Sequence, residues 1–154
     1  IHCLQAWGRM LEILQAEHLP ARGFLLHSYG GPKEMVTSFA NLGAYFSLPG
    51  YYAHERKARQ RETFQQVPAE RLLIETDAPD QLLPDRQGSV FSIQNSGLSR
   101  VQLHALADAV TGKALNHPAN LAAVYAFAAE LRGVTDEALA AQVEGNFLRL
   151  FGTF

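Results

Sequence analysis

His2, His27 and Asp77 each close a short apolar run, and the intervals between them, 25 and 50 residues, fit one repeating unit counted once and then twice. A parallel β/α unit needs a strand, a turn, a crossover helix and a turn back, roughly 30 residues in all. It leaves the strand C-termini on one face, where side chains converge on a metal or a substrate. Neutral imidazole and ionised carboxylate are the donors of hydrolytic divalent-metal sites, where the ion lowers the pKa of bound water and polarises the bond under attack. His2, His27 and Asp77 are therefore candidate ligands of a Mg, Mn or Zn ion. Each alone has a plainer reading: a hydrogen-bonded histidine at the core rim, or an aspartate that caps a turn with Ala78 and Pro79. Their common place at strand ends argues for a site.

Other side chains near these positions carry chemistry less specifically. Glu75 lies two residues before Asp77, so on an extended strand it points to the same side. There it either orients Asp77 or an ion's water, or fills the interior as an ion pair. Tyr29, Tyr51 and Tyr52 lie just past strand ends, placed to stack on a base or sugar or to pack at the core rim. Arg56, Lys57, Arg59 and Arg61 form a basic ridge suited to phosphates, but Glu55 and Glu62 interleave with helix-face periodicity, which favours a solvated face. His18, His54 and His104 read as surface or helix residues. Cys3, next to His2, points away from the site.

The elements that must position these residues follow a β/α rhythm. Trp7, Met10, Leu11 and Leu14 predict a helix within Ala6 to Glu17, stopped by Pro20 and Gly23. Phe24 to Leu26 predicts a strand, and Gly30, Gly31 and Pro32 a tight turn into a helix. Ala44 to Leu48 reads as the next strand, Glu55 to Gln66 as an outer crossover helix, and Leu72 to Ile74 as a strand buried on both faces. With the run ending at His2, that makes four parallel strands, favouring part of a barrel or an open sheet. Pro84 to Ser99 reads as a long loop, and Ser99 to Gly112 as a helix carrying Val101, Leu103, Leu106 and Val110. Pro118 opens another helix that ends near Gly133. Thr135 is placed to cap a last one, with Leu139, Val143, Phe147 and Leu150 as its buried stripe.

Length and composition bound the rest. With 154 residues and 47% hydrophobic content the chain suffices for a single domain, whereas a complete β/α barrel needs about 250 residues. The net charge of −2 does not mark the whole chain as a nucleic-acid or membrane binder, while leaving a local positive site open. A single cysteine excludes an internal disulfide framework and suits a reducing, cytoplasmic-type compartment. No run approaches the ~20 apolar residues of a membrane span. Ile1 opens in the middle of a strand-like pattern, which reads as a chain lacking its N-terminal part.

At these residues the sequence resembles the TatD family of metal-dependent nucleases, within the amidohydrolase-like TIM barrels. The family's late strands end in His-Cys-Arg-Asp-Ala-like, His-Cys-Phe-Ser-Gly-like and Glu-Thr-Asp-Ala-Pro motifs, followed by Asn-x-Pro and a terminal Asn-Phe-x-x-Leu-Phe. Here these are similar to His2 to Ala6, His27 to Gly31, the intact Glu75-Thr76-Asp77-Ala78-Pro79, Asn116-His117-Pro118 and Asn146 to Phe151. The resemblance implies the C-terminal part of a TIM (β/α)8 barrel and a deoxyribonuclease-type phosphodiester hydrolase acting on DNA. It implies that His2 and His27 bind a divalent ion and that Asp77 binds metal or water and serves as general base. It also implies that Asn116 and Pro118 shape the loop near the site, with Asn116 and Tyr29 as substrate contacts.

Departures from the pattern set further expectations. Leu4 and Gln5 replace an arginine and an aspartate, Gly30 a serine, and His117 a glutamate. The stretch from Asp85 to Leu115 is longer than the family's usual connection and reads as an insertion. The family's His-x-His strand and its metal-bridging glutamate belong to a part of the barrel that these 154 residues do not contain. Four strands alone expose sheet edges. The expectation is a C-terminal half of a longer enzyme, or a chain packed against a partner that covers those edges. Two alternatives stand beside the nuclease: an amidohydrolase-like hydrolase of amides or esters, and a catalytically silent scaffold or binding module.

Overall fold

The computed structural model describes residues 1–84, 103–104 and 106–152. Strands β1 (Phe24–Leu26), β2 (Ala44–Pro49) and β3 (Leu72–Glu75) form a parallel sheet in that order. Helix α1 (Trp7–Ala16) precedes β1, α2 (Val36–Asn41) joins β1 to β2, and α3 (Ala58–Gln66) joins β2 to β3. Every position of β2 is buried, as expected for a central strand covered on both faces. The register pairs Leu26 with Phe46 and Phe46 with Leu72, so these three share one face. Leu25 and Tyr45, and Ser47 and Leu73, pair on the other.

The expected fourth parallel strand is reduced to one residue. Ile1 gives its N-terminal amine to Leu25 O at 2.6 Å and accepts from His27 N at 2.9 Å, the bonding of a parallel ladder with Ile1 opposite Leu26. The chain then bends at Leu4 and Gln5, so no second rung forms.

The helix expected over Ser99 to Gly112 is also corrected. Residues 85–102, which include most of the expected loop, lie outside the described set. Beyond them β4 (Leu106–Ala107) pairs antiparallel with β5 (Ala114–Leu115). Asp108 builds the turn between them: its Oδ1 accepts from Val110 N, Thr111 N and Thr111 Oγ1 at 3.1, 2.7 and 2.7 Å. Such side-chain bonds offer the backbone an alternative to a helix, and they hold the Asp108 carboxyl below the usual carboxylate range. Val110, assigned to the helix's apolar stripe, is 93% exposed.

The C-terminal helices follow their end signals. Pro118 opens a 3₁₀ turn into α4 (Leu121–Arg132), which Gly133 closes in the left-handed conformation. Thr135 caps α5 (Asp136–Phe151), its hydroxyl accepting from Ala138 N at 3.2 Å. Leu139, Val143 and Leu150 are buried as expected, but Phe147 is 41% exposed. Both helices pack beside β3. Arg132 of α4 donates to Phe64 O and Val67 O at 2.6 and 2.8 Å, which places a cation on carbonyls left open at the end of α3. No helix among the described residues is long and apolar enough to cross a membrane.

Candidate functional site

Each strand end delivers one part of the site, and the loop after β3 locks it. His27 directly follows β1, and its Nδ1 donates to Glu75 Oε2 at 2.8 Å. The carboxylate can only accept, so the hydrogen sits on Nδ1 and the other ring nitrogen faces outward. That Nε2 lies 3.3 Å from Asp77 Oδ1. Ser28 Oγ donates to Glu75 Oε1, while Gln81 Nε2 donates to Ser28 Oγ and to Asp77 Oδ2. His27, Glu75, Ser28, Gln81 and Asp77 therefore close a ring of polar contacts.

The backbone is shaped to the same end. Ser28 and Asp77 adopt φ of 45° and 55°, left-handed values uncommon outside glycine and tolerated by a short polar side chain such as that of aspartate. Ser28 is fixed on three sides: its N donates to Ser47 Oγ at 3.1 Å, its O accepts from Tyr52 Oη at 2.8 Å, and its hydroxyl reaches Glu75. The loop after β3 is clamped by Asn116, whose Nδ2 donates to Thr76 O and Gln81 O at 2.8 and 3.2 Å.

Can this donor set hold a divalent ion? Two ligand atoms each about 2.1 Å from one tetrahedral ion lie about 3.4 Å apart. The His27 and Asp77 pair has that separation, and a carboxylate on the remote imidazole nitrogen is the usual support for a metal-binding histidine. The same gap also suits a proton shared as an imidazolium pair. His2 is exposed, with its ring centroid 5.6 Å from that of His27. Among the described residues no three His, Cys, Asp or Glu side chains converge as a ligand group. The pair fits an ion; a third donor is not assembled.

Two expected substrate contacts lie in the interior of the fold. Tyr29 is fully buried, with its hydroxyl donating to Pro32 O at 2.9 Å and its ring edge-on to Trp7, Phe39 and Phe46. Asn116 is buried too, and its Oδ1 accepts from His117 N and Asn120 Nδ2, both at 2.9 Å. The Tyr29 hydroxyl and the Asn116 side-chain amide are thus both bonded within the fold. His117 caps the turn at Pro118, accepting from Ala119 N at 3.0 Å. Glu75 proves to grip His27 rather than Asp77. Ser28 and Gln81 went unnoticed in the sequence: Ser28 sits inside a motif already singled out, but nothing in local spacing marks Gln81.

A cleft of about 730 Å³ opens from this ring and is lined by His2, Ser28, Tyr51, His54, Lys57 and Lys113, among others. Tyr52, at its floor, has a phenol pushed above its ordinary value by burial and then by Glu75 and Asp77. As pH rises past the ordinary phenol value of about 10, the unfolded chain loses this proton first. The stabilisation is thus whole below that pH and is lost as pH climbs toward the folded-state value. Urea unfolding at rising alkaline pH is expected to show a smaller loss of stability in Tyr52→Phe than in the unaltered chain. Parallel losses would refute this.

The chain is similar in sequence and in fold to known proteins. The chain is 32% identical over 155 residues to the 3'-5' ssDNA/RNA exonuclease TatD of Citrobacter koseri, matching 99% of this chain and 51% of that protein. It is 30% identical over 155 residues to the protein of the same name from Escherichia coli, again over 99% and 51%. It spans about half the length of these curated relatives. Among solved structures it superimposes on YJJV, a TatD homologue of Escherichia coli, with a TM-score of 0.75 at 24% identity, covering 99% of this chain and 49% of the other. An uncharacterised amidohydrolase from Saccharomyces cerevisiae gives 0.74 at 17% identity, covering 97% and 52%. The parallel α/β sheet thus matches half of such structures. The family description TatD related DNase fits residues 1–152, and with His27, Glu75 and Asp77 gathered at the strand ends, the chain belongs to that family.

Proposed function

We propose that this chain carries one side of a divalent-metal-dependent hydrolase site that cuts phosphodiester bonds in single-stranded DNA or RNA. The observation that carries the reading is the His27 and Asp77 pair at 3.3 Å, with His27 held in one tautomer by Glu75. His27 Nε2, Asp77 Oδ1 and the neighbouring His2 would hold the ion. A bound ion of Mg, Mn or Zn supplies Lewis-acid polarisation of a phosphoryl oxygen. Asp77 accepts the proton of the attacking water, and Gln81 and Glu75 fix the orientation of the two side chains that act.

Support for the substrate class comes from the relatives, which are named 3'-5' ssDNA/RNA exonucleases. The remaining ligands, on this reading, come from further barrel strands, in the same protein or in a partner. Those strands would cover the inner face of the sheet, where Leu25 and Leu73 line a groove together with Phe147 and Phe151, which are 41% and 45% exposed. A silent binding module remains the competing reading, favoured by the absence of a converged third donor among the described residues.

The test is a substrate panel with added Mn²⁺, run on the chain together with the strands that complete the barrel, and on the His27→Ala and Asp77→Asn forms of that assembly. The expected result is release of nucleotides from single strands, reduced by at least about 100-fold in both variants. Hydrolysis of amides or esters without nucleotide release would sink the nuclease reading. So would cleavage unaffected by both substitutions.

A further inference from the structure

The proposed hydrolase site accounts for one end of the cleft and leaves its basic wall without a role. Tyr51 lies in a 3₁₀ turn, Gly50–Ala53, just past β2. Arg56 places its Cζ 5.2 Å from the Tyr51 ring centroid and donates to its hydroxyl at 2.6 Å. Lys57 Nζ stands 4.9 Å from the same centroid and 5.7 Å from that of Tyr52. Neither cation forms an ion pair with a carboxylate among the described residues. Both line the cleft that also takes in His2 and Ser28.

This separates the ridge into parts with different employment. Arg61 is spent on the backbone, donating to Tyr52 O and His54 O at 2.9 and 2.5 Å, so it shapes the turn that presents Tyr51. Arg59 does not line the cleft. Arg56 and Lys57 remain, two cations held on aromatic faces rather than neutralised by acids. On a chain of net charge −2 this is a local positive wall, and a cation held on a ring loses less side-chain freedom when an anion arrives.

We propose that Arg56 and Lys57, arranged by Tyr51, are the subsite for the phosphate backbone of the polynucleotide beyond the bond that is cut. The inference rests on the hydrolase reading for the identity of the ligand, not for the geometry of the wall. Its contacts are to phosphates, so binding is indifferent to base sequence and sensitive to salt. Tyr51 is a positioning residue, since it acts through the two cations.

Anisotropy of a short labelled oligothymidylate, titrated with the full chain in EDTA over a series of salt concentrations, tests this without hydrolysis. The double variant Arg56→Ala with Lys57→Ala is expected to bind about tenfold more weakly, with the log K against log salt slope flattened by about 1.4, the release of counterions from two phosphates. Tyr51→Phe, which keeps the ring and removes the hydroxyl that holds Arg56, is expected to weaken binding less and to leave the slope unchanged. Arg59→Ala is expected to bind as the unaltered chain does. An abasic strand of equal length is expected to lose the same factor in the double variant. Unchanged affinity and slope in the double variant overturn the subsite, as does failure of the unaltered chain to bind. Hydrolysis of the same strand with Mn²⁺ is scored separately, on the chain joined by the strands that complete the site: wall-dependent binding without cleavage there upholds the subsite and rejects the hydrolase, whereas cleavage with wall-independent binding does the reverse.

Discussion

Glu75→Gln is expected to weaken divalent-ion binding by about 10- to 100-fold, the usual cost of losing the carboxylate behind a metal-binding histidine, while leaving the fold unaltered. An amide can replace both contacts: its oxygen can accept from His27 Nδ1, and its NH₂ can donate to Ser28 Oγ, which in Glu75 is the donor. Shape is therefore preserved and only the charge is lost. Without it the imidazole is a poorer electron donor at Nε2, the atom that faces Asp77 Oδ1. Titration calorimetry with Mn²⁺ or Zn²⁺ on the two proteins measures the difference. Equal affinities would mean that Glu75 merely fills the strand end, and no binding heat from the unaltered chain would remove the ligand assignment altogether.

The same contacts mark where the sequence is legible and where it stops. Helix ends are local: Gly133 and Thr135 do their capping with neighbours three or four residues away, so they could be read directly. The three sheet strands were legible because each is a short apolar run bounded by turn residues, and burial on both faces leaves no room for alternation. Leu106 and Val110 misled, because an apolar residue every few positions looks like a helix face until Asp108 takes the turn amides for itself. Tyr29 takes the packing alternative and Phe147 leaves the expected buried stripe for one reason. Burial depends on which element lies opposite, and Trp7, Phe39 and Phe46 surround the tyrosine while Phe147 faces an open groove.

The site shows the same division. Strand spacing predicts Glu75 and Asp77 on one side, but β3 ends at Glu75 and Asp77 reaches the site from a left-handed turn, and the spacing cannot say that β1 lies two strands away with His27 at the height where Glu75 reaches Nδ1. Nor does it show that Gln81, returning after Pro79, closes the ring. The basic ridge is more instructive still. Helix periodicity treats Arg56, Lys57, Arg59 and Arg61 as one solvated face, whereas the 3₁₀ turn at Glu55–Lys57 breaks that periodicity and turns two of them into the cleft.

The second large effect is on stability and comes from the far end of the chain. Asn146 is completely buried on α5, and its Nδ2 donates to Ala69 O and Leu72 O, both at 2.7 Å. Ala69 opens the turn that enters β3 and Leu72 is the first residue of β3, the strand that carries Glu75. One side-chain amide thus fixes the last helix against the strand beneath the site, and its Oδ1 accepts from Gln142 Nε2 at 3.0 Å. Asn146→Ala leaves Leu72 O in a buried setting without that donor and opens a small void. The expected loss is about 2–4 kcal/mol, from unsatisfied buried acceptors at about 1–3 kcal/mol each. Asn146→Leu refills the volume but not the hydrogen bonds, so it is expected to recover little. The urea midpoint of the three proteins decides it: a leucine variant as stable as the unaltered chain would show that packing, not the two carbonyl bonds, is what Asn146 contributes. In that case the helix is held to β3 by its apolar stripe of Leu139, Val143 and Leu150 alone.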